Sequence, residues 1–123
     1  MNSNTSFKIS KKVIIQFCKL TKDRNPIHFH VPKNFHNGKF KKALVPGLLI
    51  VSKVNEILSK KYKGALIIDI IANFKLPVYH DEKCFIHFKI NTINKKKKLF
   101  ELKADLKINK INKVFVKITF LID

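Results

Sequence analysis

The chain changes its hydrophobic period midway. Residues 11–20 place Val13, Ile14, Phe17 and Leu20 on one helical face, with Ser10 in front as an N-cap, so the spacing predicts a short amphipathic helix. Residues 46–60 are apolar almost all round in their first half, the pattern of a helix buried on every side. Pro46 suits its first turn, and Gly64 is a stop after the basic run ending at Lys63. Beyond it the period falls to two. Residues 65–74 are β-branched and apolar, and Cys84, Ile86, Phe88 and Ile90 alternate with polar neighbours. Phe100, Leu102, Ala104, Leu106 and Ile108 then alternate with Glu101, Lys103, Asp105 and Lys107, and Val114, Val116, Ile118, Phe120 and Ile122 repeat the pattern. The prediction is four strands in succession, turning near residues 78–82, 94–97 and 109–112.

A buried helix and a meander with one apolar face must bury against each other. This predicts an α+β architecture, a single hotdog whose antiparallel sheet wraps a central helix, in one domain spanning residues 1–123. A helix lying across a flat sheet is the competing arrangement. With 46% apolar residues, 11 of them Phe, the chain can fill a core. Charge bears on partners rather than on fold. The 26 basic residues outnumber the 8 acidic ones for a formal +18, and all but one of the 26 are Lys. Such a surface attracts nucleic acid, anionic membrane, coenzyme A phosphates or an acidic carrier protein, and without arginine forks it singles out none of them. Cys18 and Cys84 form no C-x-x-C pair, which argues against a disulfide framework or cysteine-rich zinc module and points to a reducing compartment. No apolar run is long enough to cross a bilayer, and residues 1–6 lack a secretory layout, so a cytoplasmic protein is expected.

Residues 21–42 are polar, contain Pro26, Pro32 and Gly38, and hold three of the five histidines. Irregular stretches this long are more often functional than idle. Pro26 fixes its own φ and biases Asn25 towards extended backbone, so Asp23 and His28 can be held at one place. A carboxylate and an imidazole together can hold a water and pass a proton, and Asn25 could lock either by a hydrogen bond. Spacing alone does not separate such a pair from an ordinary polar loop.

The surrounding residues do. Leu-Thr-Lys-Asp-Arg-Asn-Pro-Ile-His at 20–28 resembles the signature loop of the MaoC-like dehydratases, the (R)-specific enoyl-CoA hydratase (hydratase 2) family, roughly Leu-Thr/Ser-Gly-Asp-x-Asn-Pro-Ile/Leu-His. Ala-Leu-Val-Pro-Gly-Leu-Leu at 43–49 resembles the segment opening that family's central helix. Phe-Lys-Leu-Pro-Val-Tyr-His-Asp-Glu at 74–82 resembles its Phe-x-x-Pro-Val-x-x-Gly-Asp-Glu strand and turn. The three segments come in the right order at compatible spacing. The resemblance implies a hotdog hydro-lyase of fatty acid metabolism that hydrates trans-2-enoyl thioesters or dehydrates (R)-3-hydroxyacyl thioesters. It makes Asp23 and His28 the catalytic pair, supported by Asn25. A developing thioester oxyanion needs a donor, and the backbone N–H of Gly47, at a helix N-terminus, is suited to that. Pro46, Leu48 and Asn55 are the other expected substrate contacts. Coenzyme A or phosphopantetheine would enter as part of the substrate, with no separate cofactor, and an acyl carrier protein is an expected partner. A homodimer pairing sheets edge to edge is expected too, since an isolated hotdog leaves a bare sheet edge. The chain departs from the family's pattern at Lys22 (Gly there), at Pro46 (His there), and at Phe29 and His30, where acidic or small residues follow the His.

Competing readings are weaker. His28, His30 and His36 lack the carboxylate or cysteine that would complete a zinc spacing. The Lys95–Lys98 run sits where a hairpin needs a polar turn, and the paired exposed aromatics of RNA-binding sheets are missing, which disfavours nucleic acid. Asp81 and Glu82 suit a turn, and Ser52 and Asn55 suit bonding within their helix as well as substrate contact. A hotdog thioesterase, or a module that binds acyl groups or nucleic acid without turnover, are the alternative functions.

Overall fold

The computed structural model describes residues 2–30, 33, 35–40 and 42–123, so Pro32 lies outside the described residues. The elements run β1 (Asn2–Phe7), α1 (Lys11–Thr21), α2 (Gly47–Lys61), β2 (Leu66–Phe74), β3 (Cys84–Asn94), β4 (Leu99–Ile108) and β5 (Ile111–Leu121), with single 3-10 turns over Pro26–His28 and Phe35–Gly38. The strands form one antiparallel sheet in the order β1-β3-β4-β5-β2.

The alternation read from the sequence sets the inner face of that sheet. Cross-strand rows such as Ile86↔Leu106↔Val114 and Phe88↔Ala104↔Val116 are fully buried, and Ile50, Val54 and Leu58 of α2 join the same core. Phe100 stacks on Phe120 at 5.9 Å, and Tyr62 closes the far end of the core. Polar residues fill the turns as expected. Lys97 N–H donates to Asn94 Oδ1 at 3.0 Å within the lysine run, and Asn109 and Lys110, both at positive φ, make the two-residue hairpin between β4 and β5.

Four expectations need correction. The sheet has five strands, because Asn2–Phe7 carries no apolar alternation and is a strand only through its pairing with β3. The strands do not follow one another as a meander: β2 joins the far edge beside β5, with Ile70 opposite Ile118 and Phe74 opposite Val114. Helix α1 buries Ile14 and Cys18 and half-buries Phe17, while Val13 is exposed and Leu20 lies 83% exposed, because only one narrow face meets the core. Helix α2 is buried on one side, not all round, and Leu48 is 72% exposed. Strand β2 is also exposed along nearly its whole length on both faces, although it is built from Leu66, Ile67, Ile68, Ile70 and Ile71.

Candidate active site

The site begins where α1 ends. Lys22 takes a left-handed backbone (φ 59°, ψ 30°), its N–H donating to the Lys19 carbonyl at 3.4 Å while Asp23 N–H donates to the Cys18 carbonyl at 2.9 Å. This paired closure of a helix C-terminus favours glycine at the left-handed position, which is where the resembled pattern has its glycine. Lysine occupies the conformation here and the turn still forms. Asp81, which counting along the third motif places at that pattern's other glycine, also sits at positive φ (62°).

The turn delivers the Asp23 carboxylate into the following loop. Its Oδ1 accepts the Asn25 N–H at 3.0 Å, and Asn25 Oδ1 accepts the Ile27 N–H at 3.2 Å, capping the 3-10 turn that Pro26 opens. Asn25 therefore bonds neither Asp23 nor His28 through its own side chain. It fixes the turn that carries His28. That imidazole packs inward, its side chain 13% exposed against 34% for Asp23, and Nε2 lies 3.4 Å from Asp23 Oδ2. Its Nδ1 lies 2.9 Å from the Leu44 carbonyl. A carbonyl can only accept, so Nδ1 carries a proton, and in the neutral ring Nε2 presents its lone pair towards the carboxylate. Two acceptors facing each other are suited to holding a water or sharing one proton.

Backbone bonds stitch the three motif segments together. Leu44 N–H donates to the Ile27 carbonyl at 2.9 Å, and Val45 N–H donates to the Val78 carbonyl at 2.8 Å. Leu44 also bridges to Tyr79 as a short antiparallel pair. Gly47 opens α2 with an N–H that has no acceptor within the helix. A Cβ at Gly47 would meet the Phe74 ring at 2.7 Å, so any side chain here must push that ring aside.

The pair stands between two clefts. His28 lines an apolar cleft of about 390 Å³ with Leu44, Gly47, Leu48, Phe74 and Val78. Asp23 lines another of about 440 Å³ with Ile15, Cys18 and Phe29, rimmed by Lys19, Lys22 and Arg24. Burial first, and then the Asp23 carboxylate, pushes the Cys18 thiol above its ordinary pKa.

The structure thus brings Asp23, His28, Asn25, Gly47 and Leu48 to one place. Pro46 is buried beneath α2, where its carbonyl accepts from Leu49 and Ile50, and it does not line the apolar cleft. Asn55, two turns further along α2, lines a separate small cleft with Leu58 and Tyr62, so it is not a neighbour of His28. Ser52 bonds back to the Leu49 carbonyl. Glu82 accepts the Tyr79 N–H and Asp81 pairs with His80, which gives both carboxylates turn roles. No group of three or more His, Cys, Asp or Glu among the described residues is placed to hold a metal. Sequence reasoning missed the Leu44 carbonyl and the Phe74 ring; both lie inside quoted motif segments, but neither side-chain type signals its role.

No protein-family model matches the chain. Over 66 residues it is 38% identical to the mitochondrial 3-hydroxyacyl-[acyl-carrier-protein] dehydratase FERN of Solanum lycopersicum, covering 54% of this chain and 39% of that protein. Over 70 residues it is 31% identical to the mitochondrial 3-hydroxyacyl-[acyl-carrier-protein] dehydratase of Arabidopsis thaliana, 57% of this chain and 42% of that one. The chain spans about two fifths of the length of these relatives. Among solved structures, the (R)-hydratase from A. caviae involved in PHA biosynthesis superposes with a TM-score of 0.87 over 100% of this chain and 95% of the other, at 18% identity. The fold is therefore that of the hotdog hydratases.

Proposed function

We propose that the protein is an enoyl-thioester hydratase and 3-hydroxyacyl-thioester dehydratase, with Asp23 and His28 as its acid and base. The observation that carries this is the position of the pair, on the partition between an apolar cleft that also contains Gly47 and a second cleft rimmed by cations. The apolar cleft suits an acyl chain. The free N–H at the start of α2 would stabilise negative charge as it develops on the thioester oxygen.

In the hydration direction, a water held between Nε2 and Oδ2 bonds C3 through its oxygen. One member of the pair takes the proton released, and the other, protonated, delivers its own to C2. One proton has crossed the pair, and the 3.4 Å gap lets it return for the next turnover. Dehydration of the (R)-3-hydroxyacyl thioester is the reverse. Coenzyme A or phosphopantetheine arrives with the substrate, and the chemistry calls on no further cofactor. The names of the two plant relatives favour a carrier-bound substrate.

Strand β2 supports a homodimer. It offers a bare backbone edge and apolar side chains on both faces, which a second β2 would cover. Both thiols are free and buried, which suits a reducing compartment such as the cytoplasm. Among the described residues no helix is long and apolar enough to cross a membrane.

The test is the ultraviolet absorbance of a short trans-2-enoyl thioester, presented on coenzyme A and on a carrier protein, with free thiol followed in parallel. Hydration removes the conjugated absorbance without releasing thiol. Thiol release would make the protein a thioesterase, and failure on both carriers would leave an acyl-binding module.

A further inference from the structure

A third cleft, of about 190 Å³ between β1 and α2, touches neither Asp23 nor His28. Five consecutive residues of β1, Ser3 to Phe7, line it, so the strand's backbone and not just one face of it forms that wall. Strand β1 is an edge of the sheet, with β3 on one side and a bare row of N–H and C=O groups on the other. Edges of this kind are normally blocked by lysine, proline or a bulge. Among the described strands β1 alone has no charged residue, in a chain with 26 basic ones; it has no proline either, and its register with β3 is unbroken. The other edge, β2, carries Asp69 and a register shift between Ile67 and Asp69. An edge left open in so basic a chain is a template for a further strand.

The facing wall selects the kind of strand. Lys53, Glu56, Ile57, Lys60 and Lys61 of α2 follow the spacing i, i+3, i+4, i+7, i+8, one helical face, and all line the cleft. Three ammonium groups stand there against one carboxylate, and Lys61 Nζ lies 5.8 Å from the centre of the Phe88 ring. Between the walls the floor is apolar, from Ile57, Ile86 and Phe88. The walls match in length: Lys53 to Lys61 spans about 12 Å at 1.5 Å per residue, and Ser3 to Phe7 about 13 Å at 3.3 Å per residue. The volume falls below the roughly 300–1,000 Å³ of small-molecule pockets, which suits side chains reaching in from a strand that itself lies outside. A second copy paired through β1 would bring two such cationic faces together, and their repulsion disfavours it.

We propose that the bare edge of β1 is a docking site for an extended acidic peptide of a partner protein, which adds a sixth strand to the sheet. Alternate side chains of the peptide enter the cleft, so the motif recognised is acidic-x-apolar-x-acidic. The apolar side chain meets Ile57 and Phe88, and the two acids meet Lys53 at one end and Lys60 and Lys61 at the other. Main-chain bonds to β1 supply the affinity and the lysines supply the choice of partner. The inference is independent of the hydratase reading, since binding is measured without turnover.

The probe is the fluorophore-labelled peptide Ser-Glu-Thr-Leu-Thr-Glu-Ser, with both ends blocked, and its binding is followed by fluorescence anisotropy. It is titrated into the wild type and into Lys53→Glu/Lys60→Glu, a variant shown to be folded by circular dichroism. Two further peptides are N-methylated, one at Glu, Leu and Glu and the other at the two Thr between them, because alternate N–H groups of a strand point to opposite sides. The expected result is saturable binding to the wild type that weakens as salt rises. Charge reversal should weaken it by about tenfold or more, and replacing both peptide Glu by Lys should restore binding to the variant. Of the N-methylated peptides, the one whose methyl groups face β1 should lose binding while the other keeps it. Two N-methylated peptides that behave alike overturn the docking edge, a result read on the wild type alone. Binding that charge reversal leaves unchanged overturns it as well, as does no binding of the parent peptide. Protection of β1 amides from hydrogen exchange that rises with protein concentration, without peptide binding, would give the edge to a second copy and overturn the proposal too.

Discussion

At the residue scale, the most informative position is Lys22. A non-glycine residue in the left-handed region costs roughly 1–2 kcal/mol in conformational energy, part of which glycine gives back through its freer unfolded chain. Lys22→Gly is therefore expected to stabilise the protein by about 0.5–1 kcal/mol in chemical denaturation. Gly47 is the second such position. Its alanine variant meets the far end of the Phe74 ring, a half-exposed group that can turn aside, so Gly47→Ala should fold. Turning the ring aside reshapes the cleft that Gly47 and Phe74 line together, and kcat/KM should fall by about tenfold or more, as misplacement of reacting groups does. An unchanged rate would show that the Phe74 side of Gly47 is no part of the site. That Asp23 and His28 come together was legible in the sequence from the 20–28 segment, whose Pro26 stiffens the loop between them, and the two further segments supported the resemblance. The Leu44 carbonyl was not legible, since a main-chain acceptor leaves no trace in side-chain identity.

At the element scale, the capped turn Pro26–His28 joins sequence to chemistry. Asn25 Oδ1 holds the Ile27 N–H, and truncating such a cap typically costs about 1 kcal/mol. Asn25→Ala is expected to lose about that much stability and, by loosening His28, to lower kcat more than it raises KM. Asn25→Asp keeps the acceptor and should recover the stability, a contrast that thermal denaturation of the two variants would read. Elements with strong period were found from sequence: both helices, and the strands from Cys84 onward. Strand β1 was not, because a Ser- and Asn-rich segment becomes a strand only when β3 offers its edge. The place of β2 beside β5 was not legible either, since alternation gives each strand a face and says nothing of its neighbours. Leu20 misled for a related reason. It fits the helical spacing, yet the core touches α1 only along Ile14, Phe17 and Cys18.

At the scale of the whole molecule, the fold leaves one edge apolar and one core thiol very deep. If β2 meets its copy, Ile70→Lys should convert a dimer to a monomer in analytical ultracentrifugation and lower activity; a wild type that runs as a monomer at micromolar concentration would refute that arrangement. Burial first, and then the Glu82 carboxylate, pushes the Cys84 thiol from an ordinary 9.0 up to about 12. The unfolded chain releases that proton near 9.0 while the folded chain keeps it, so the contribution is intact below pH 9.0 and is lost as pH rises towards about 12. Stability should therefore fall across that window, less steeply in Cys84→Ala after allowance for its lower starting value.

The measurement that bears most directly on the central claim is a double-variant cycle on turnover, using Asp23→Asn, His28→Ala and both together, each shown to be folded by circular dichroism. A pair that works as one acid–base unit predicts that each single change lowers kcat by about 10²–10⁴ and that the combination is hardly worse than either alone. Wild-type turnover in either single variant would contradict the account, as would losses that simply multiply.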